Sequence, residues 1–342
     1  MHDPWVAAVD EALYEHRALV RHHAMRRTLW VMTPEVARLA HAAATAKIAR
    51  AERKRTVAAL TETADVGDGE TWLDHATEQV VALLAAGGSM TTRAIGQELP
   101  HLVLPVTFGV RTKHPAALNA HTKVLQGAGF DATLLRSEPS GSWNSAEYAW
   151  VGTEDWLGHP IAGLEERPAA AELLSHWLHR FGPATEVDIK WWFGWTASLT
   201  QASLDAVHAA EVELDDGTVA YMAAGDDLVV DDPGHWVRLL PGLDPTAMGW
   251  KERDWYIDPA LVPRLFDRFG NAGPTVWVDG EIVGGWLQRP TGEIAVELHR
   301  ELGRDHQQLL EEAVAELEQA IGDVIVRPRF PAPAQKDLWT RE

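Results

Sequence analysis

A chain of 342 residues with 46% hydrophobic and 23% charged content is long enough for several domains with their own cores and has the composition of an ordinary globular protein. It carries 30 Lys and Arg against 50 Asp and Glu, a formal net charge of -20, which argues against indiscriminate coating of nucleic acid while leaving room for a local basic groove. The absence of cysteine excludes disulfides and thiolate metal sites, no apolar run reaches the roughly 20 residues of a membrane span, and no signal-peptide pattern opens the chain, so a reducing, cytoplasmic home is expected.

Trp5, Val6, Val9 and Leu13 mark an initial helical face. Leu19 and Val20, and then Leu29, Trp30 and Val31, read as short strands around Arg21-His22-His23-Ala24-Met25-Arg26-Arg27-Thr28. Thr33 and Pro34 supply a cap and a favoured first residue for a helix that continues past Arg55. On it Lys47, Arg50 and Lys54 fall at i, i+3 and i+7, hence on one side, flanked by Arg53 and Arg55. Residues 1–60 hold ten Lys or Arg against six Asp or Glu, so this side reads as a phosphate-binding face or as a solvated one. His22 and His23, adjacent on a strand, point to opposite faces, which argues against a shared metal ion.

After a polar connector at 61–71, Ala76, Val80, Leu83 and Leu84 mark a helix from Trp72 that ends at Gly87-Gly88. Thr91 or Thr92 caps a short helix through Ile95 and Leu99. A longer helix is expected from Pro115 to Gln126, stopped by Gly127, with Leu118, Thr122 and Leu125 inward, Lys123 outward, and Arg111, Lys113 and His114 leading in. Phe130, Thr133 and Leu135 read as strand. Arg136 follows near the loop Ser140-Gly141-Ser142-Trp143-Asn144. These basic groups lie where a DNA-reading helix would want them, and a salt-bridged or solvent-facing set fits as well.

From Ala170 the punctuation is clearer. Leu173, Leu174, Trp177 and Leu178 form one helical face, and Gly182-Pro183 stops it. Thr185 and Asp188 make a capping pair for a second helix through Ile189, Trp191, Trp192 and Phe193, and Ser198 with Gln201 is expected to open a third. The period then switches to two in Val212, Leu214, Val219 and Tyr221 around Asp215-Asp216-Gly217. Three short helices and a hairpin spell a winged helix-turn-helix, with Thr200, Gln201 and Ser203 as groove-facing candidates. None is basic, and Glu186, Asp188 and Asp205 suit a protein-facing surface as readily as DNA.

Beyond Asp231-Asp232-Pro233-Gly234, short strands are expected at 236–240, 275–278, 281–287 and 294–298, with Asp279-Gly280 as a tight turn. A helix over 306–320 presents Leu309, Leu310, Val314 and Leu317, and Val324 with Val326 reads as a last strand. Few-residue strands with one helix predict a small barrel or curled sheet. There is no Rossmann fingerprint, P-loop or zincin helix, so neither cofactor nor metal is expected. Asp244, near Glu252, Arg253 and Asp254, is a catalytic candidate if burial raises its carboxyl, although a structural ion-pair network leaves the same trace.

The runs Met25-Arg26-Arg27-Thr28-Leu29-Trp30, Ser140-Gly141-Ser142-Trp143 with Tyr148 and Trp150, Leu239-Leu240-Pro241 with Asp244, and Asp279-Gly280 with Val283-Gly284 and Trp286 occur in an order that resembles the bacterial winged helix DNA-binding domain-containing proteins related to the AlkZ and YcaQ DNA glycosylases. The resemblance covers roughly residues 5 to 330. It implies tandem winged-helix units plus a small β-barrel in a C shape around duplex DNA, and, in active members, hydrolysis of the glycosidic bond of alkylated or crosslinked bases. Active members are taken to place a glutamine, a hydrophobic residue and a glutamine or aspartate upstream of a Met-Arg-Gly-Thr-Leu-His-like run. No glutamine precedes Met25 here, and the chain starts so near that run that the catalytic segment is expected to be missing. Arg27 replaces the family's glycine and Trp30 its histidine, so no catalytic residue carries over.

The expected fold is therefore α+β, with tandem winged helix-turn-helix units and a C-terminal small β-barrel-like domain. The expected divisions are a partial N-terminal winged-helix unit at 1–60, a second such unit at 61–165, a winged-helix domain at 166–232, the barrel-like domain at 233–330 and a flexible tail at 331–342. The expected activity is binding of double-stranded DNA, damaged DNA included, with weak or silent base excision and no membrane partner. A metal-independent DNA glycosylase and a protein-interaction scaffold are the alternatives. Candidate DNA contacts are Arg21, Arg26, Arg27, Lys47, Arg50, Lys54, Arg111, Lys113, Lys123, Arg136 and Gln201, with Trp30 and Trp143 for base stacking and Asp244 for catalysis.

Overall fold

In the computed structural model, which describes residues 4–112, 115–141, 143–226, 230–328 and 331–340, the chain divides into two units. One is Met1–Gly182 with Phe193–Ala210, the other Pro183–Trp192 with Glu211–Glu342. The first opens with α1 (Pro4–Asp10) and a π-helical turn over Glu11–Glu15, then an antiparallel hairpin of β1 (Val20–His23) and β2 (Leu29–Met32). Thr33 caps α2 (Pro34–Ala40) as expected, its hydroxyl accepting from the Val36 amide at 3.4 Å, with Pro34 where a missing N–H is harmless. A π-helical turn over His41–Thr45 leads into α3 (Ala46–Thr63).

Asp68 caps α4 (Gly69–Gly87), and Thr91, the last residue of β3 (Met90–Thr91), caps α5 (Thr92–Glu98). β4 (Pro105–Phe108) pairs with β5 (Ala116–Asn119), so the stretch expected to start a helix at Pro115 is extended as far as Asn119. The helix, α6 (Ala120–Phe130), runs through Gly127 and takes in Phe130, which the sequence assigns to a strand. The difference arises from a partner outside the window: Val106 pairs with Leu118, and the Ala120 amide donates to the Leu104 carbonyl at 2.8 Å. β6 (Leu134–Pro139) and β7 (Tyr148–Gly152) join β3 in a sheet of order β3-β7-β6, and α7 (Thr153–Leu157) follows. Leu60, Val80, Leu84, Ile95, Leu125 and Leu134 form the centre of the core. Each such side chain contributes about 1.5–3 kcal/mol by leaving water.

Then come α8 (Glu166–Phe181), α9 (Glu186–Phe193), α10 (Ala197–Ala206) and the paired strands β8 (Ala210–Glu213) and β9 (Val219–Met222), three helices and a hairpin in the expected order. The Thr185 and Asp188 cap forms. Asp188 Oδ2 accepts from the Thr185 amide at 3.2 Å and hydroxyl at 2.8 Å, while the Asp188 amide donates to Thr185 Oγ1 at 3.1 Å. The other oxygen, Oδ1, accepts from the amides of Lys251 at 2.7 Å and Glu252 at 3.0 Å. The third helix is capped by Thr196 rather than Ser198, its hydroxyl accepting from the Leu199 amide at 3.3 Å.

The second unit holds β10 (Val237–Leu240), α11 (Pro245–Met248), α12 (Val262–Leu265), β11 (Thr275–Val278), β12 (Glu281–Gln288), β13 (Ile294–Leu298), α13 (Arg304–Ile321) and α14 (Pro333–Thr340). The expected barrel is not there. The four strands form an open antiparallel sheet in the order β10-β11-β12-β13, so β10 and β13 are edges and never meet. Four strands this short are too few to close, and helices cover the faces instead. Val276, Val278, Val283 and Trp286 meet Leu310 of α13, while Trp277 and Ile282 join Tyr256, Leu265 and Ala334 in a separate cluster. With both faces covered, every residue of β11 is buried, Thr275 included.

At the β13 edge the Ile294 amide donates to Glu318 Oε1 of α13 at 2.9 Å, and at the β10 edge Arg238 Nη1 donates to the Val237 carbonyl at 2.8 Å. Val324 and Val326 form no strand, because the Gln288 side chain takes their backbone groups, donating to the Val324 carbonyl at 3.0 Å and accepting from the Val326 amide at 2.7 Å. The stretch expected to be a loose tail contains α14, whose Ala334, Gln335 and Leu338 are buried. No helix among the described residues is long and apolar enough to cross a membrane.

Candidate nucleic-acid interface

Helix α3 is held by Ala49, Thr56, Ala59 and Leu60, all buried on one side. Lys47, Arg50 and Lys54 project from the opposite side and are exposed. No ion pair with any described residue neutralises them. Their neighbours differ: Arg53 meets Glu70 and Asp74, each at 2.7 Å, and Arg55 meets Glu52 at 3.4 Å. The sequence places five cations on this helix, and the structure leaves three of them to solvent.

The other basic candidates divide by surroundings. Arg27 pairs with Glu52 at 3.2 Å and Arg111 with Glu62 at 3.4 Å. Arg21 lies against the Tyr14 ring at 5.5 Å and donates to the Ser137 carbonyl. Arg136 sits over the Tyr148 ring at 4.1 Å and donates to His23 Nε2 at 3.2 Å. Both are part of the packing between β1 and β6 rather than a surface. Lys123, expected to face out, is half-buried over Phe108 at 4.8 Å, donates to Gln126 at 2.7 Å, and is pulled below the ordinary lysine range by burial. Lys113 lies outside the described residues. In α10, Gln201 is exposed and donates to Asp205 at 2.9 Å, whereas Thr200 and Ser203, expected to face a groove, are buried.

The β1–β2 turn carries backbone strain. Arg26 and Arg27 have φ of 57° and 59°, the left-handed region that favours glycine, and Arg27 stands where the family resemblance expects one. Trp30 is half-buried in β2, with its indole N–H on the Met25 carbonyl at 3.2 Å. Trp143 is exposed at 45%. Behind the turn His22 and His23 diverge as strand neighbours should. His22 lies 5.5 Å from the His41 ring, and burial with help from His41 and His23 pushes its pKa down to about 3. His23 lies 4.5 Å from Phe130, and burial, then Arg136, takes it down to about 4. Both rings are neutral at pH 7.

In the second unit Asp244 caps α11, accepting from the Thr246 amide at 2.8 Å. Glu252 Oε2 lies 2.8 Å from the Thr185 hydroxyl, which shares its one proton between Glu252 and Asp188, and Arg253 lies over Phe266 at 4.6 Å, so the polar cluster is spent on structure. A group that sequence spacing does not reveal lies at the β11–β12 turn. Asp279 Oδ2 accepts from His235 Nδ1 at 2.9 Å and His306 Nε2 at 2.7 Å, and Oδ1 accepts from the Trp236 amide at 2.8 Å. The Trp236 amide, then His235, holds the Asp279 carboxyl down to about 2, and Asp279 raises His235. Residues 44 and 27 positions apart fit no short ligand motif. The Asp-Gly turn was the only local signal.

Three successive helices followed by paired strands, a basic-faced helix and a helix-covered open sheet define a protein of the α+β class. The chain belongs to the AlkZ-like DNA glycosylase family, whose sequence profile matches residues 1–320. In fold it is similar to the Streptomyces sahachiroi DNA glycosylase AlkZ, at 19% identity and a TM-score of 0.66 over 94% of this chain and 84% of that one. No curated protein matches it.

Proposed function

We propose that the chain binds double-stranded DNA through the exposed side of α3, with Lys47, Arg50 and Lys54 on backbone phosphates. The observation that carries this reading is the contrast on α3 between these three cations and the paired Arg53 and Arg55. At 1.5 Å per residue the three span about 10 Å, a length over which a duplex presents about six phosphate charges. A net charge of -20 confines attraction to such a local face. The contact is with backbone and is therefore tolerant of sequence. Titration of duplex DNA at several salt concentrations with wild type and the Lys47→Gln/Arg50→Gln/Lys54→Gln variant tests it. The variant is expected to bind unrelated duplexes more weakly alike and to lose about 2–3 units of salt slope. Unchanged affinity and slope refute the reading.

Family membership favours a second reading, excision of alkylated or crosslinked bases. Excision requires an extruded base, stabilised positive charge on the sugar and an oriented water. Asp244 is a poor agent for this, since one of its oxygens caps α11. With Asp244 so engaged, little base is expected to be released from duplex containing 7-methylguanine or an interstrand crosslink. Single-turnover incubation followed by alkaline cleavage measures it. Product well above a no-protein control, abolished by Asp244→Asn, establishes excision and makes Asp244 its agent.

A further inference from the structure

We infer that His235, Asp279 and His306 form a binding site for a divalent transition-metal ion of the zinc class, supplying two imidazoles and one carboxylate. The three come from separate places in the second unit: the loop before β10, the turn between β11 and β12, and the first turn of α13. Their nearest ligand atoms, His235 Nδ1, an Asp279 oxygen and His306 Nε2, all lie within 4.8 Å of one another. Helical or strand periodicity brings none of them together. The tertiary fold does.

Two of the three donor separations are near those of a bound ion, and the third is under 4.8 Å. With bonds of about 2.0–2.2 Å, the donors of a tetrahedral zinc site stand about 3.4 Å apart. Here the carboxylate oxygen is 2.9 Å from one imidazole nitrogen and 2.7 Å from the other, so an ion entering between them needs each gap to widen by only about 0.5–0.7 Å. Small χ rotations provide that, and His235, exposed to solvent, exchanges its hydrogen bond to Asp279 for a bond to the ion as it turns. The two rings meet edge-on, with centroids 4.5 Å apart and planes at 74°, so their nitrogens converge on the carboxylate instead of the rings stacking away from it.

The support around the ligands is that of a metal site too. The Trp236 amide holds the far oxygen of Asp279, which leaves the near oxygen aimed at the imidazoles, the orienting role that outer hydrogen bonds play around bound metals. Asp232 and Asp305 add negative charge beside His235. Two nitrogens, one oxygen and no sulfur select zinc, cobalt or nickel over magnesium and calcium. Three protein ligands leave a fourth position for water or an incoming ligand. Bound there, the ion ties the β11–β12 turn to α13 and to the entry of β10.

The 342-residue chain, stripped with a chelator, is titrated with Zn2+ by calorimetry and with Co2+ by visible absorption, with Mg2+ as control. Wild type is expected to take one equivalent of zinc with micromolar or tighter affinity, give the intense visible bands of four-coordinate cobalt, and ignore magnesium. His235→Ala, in an exposed loop, is expected to lose at least about tenfold in affinity, and His235→Ala/His306→Ala to lose both binding and cobalt bands while keeping the wild-type circular dichroism. Absence of stoichiometric binding by wild type overturns the inference. So does binding by the double variant as tight as wild type, which assigns the ion to other histidines. If the double variant fails to fold, the single His235→Ala titration decides alone.

Discussion

His22 and His23 predict that the first unit loses stability in mild acid, well above the pH at which carboxylates protonate. Their folded pKa values, about 3 and about 4, lie below the ordinary value near 6.5 because their rings are buried. A depressed pKa means that the unfolded chain takes up protons that the folded chain refuses. The stabilisation is complete above about pH 6.5 and declines as pH falls towards the folded values. Between pH 7 and pH 5 each histidine withdraws about 2 kcal/mol, against a typical domain stability of about 5–15 kcal/mol. His41, lowered by burial too, acts in the same direction. Urea melts followed by circular dichroism at pH 7, 6 and 5 read the loss. His22→Gln, of similar size and unable to titrate, is expected to remove about 2 kcal/mol of the pH dependence, whatever it does to stability at pH 7. Wild type and variant with parallel pH profiles, or a wild type equally stable at pH 5 and 7, would refute the reasoning.

Asp188→Ala deprives the Lys251 and Glu252 amides and the Thr185 side chain of a buried acceptor, and is expected to destabilise the second unit by about 3 kcal/mol in thermal melts, with Asp188→Asn less severe. A loss under about 1 kcal/mol would mean that water replaces the carboxylate. At Arg27, whose φ is 59°, Gly relieves left-handed strain that Ala retains, and both lose the contact with Glu52. Arg27→Gly is expected to be more stable than Arg27→Ala by about 1 kcal/mol. Equal melting temperatures would show that the turn relaxes without glycine.

Local chemistry was legible in the sequence and partners were not. Thr33-Pro34 and Thr185 with Asp188 announce caps because donor and acceptor lie within three residues, and the structure has both. At Thr196 and Ser198 two hydroxyls compete for one helix start, and composition does not rank them. Residues 116–119 pair with 105–108 through a contact that no helical window contains. Arg21, Lys123 and Arg136 count as cations in any sequence tally, yet each is laid against an aromatic ring, where its stem fills space and its charge is partly withdrawn from the surface. The barrel expectation failed for a related reason. Strand lengths are local, whereas the burial of both faces by helices depends on which segments return to the sheet.

The openness of that sheet leaves the second unit with a vulnerability that a closed barrel does not have. An unpaired strand edge is a template on which another chain can lay down a strand, and proteins with such edges must guard them. The guards here are single side chains. Glu318 reaches from α13 to occupy an outward amide of β13, and Arg238 turns back onto an outward carbonyl of β10. Both are charged, so an approaching strand must displace a hydrogen bond and desolvate an ion before it can pair. Apolar replacement at Glu318 and Arg238 together would leave the core untouched and convert both edges into adhesive surfaces. At each edge, then, a charged side chain that lies outside the core occupies one of the outward backbone groups on which another strand would pair.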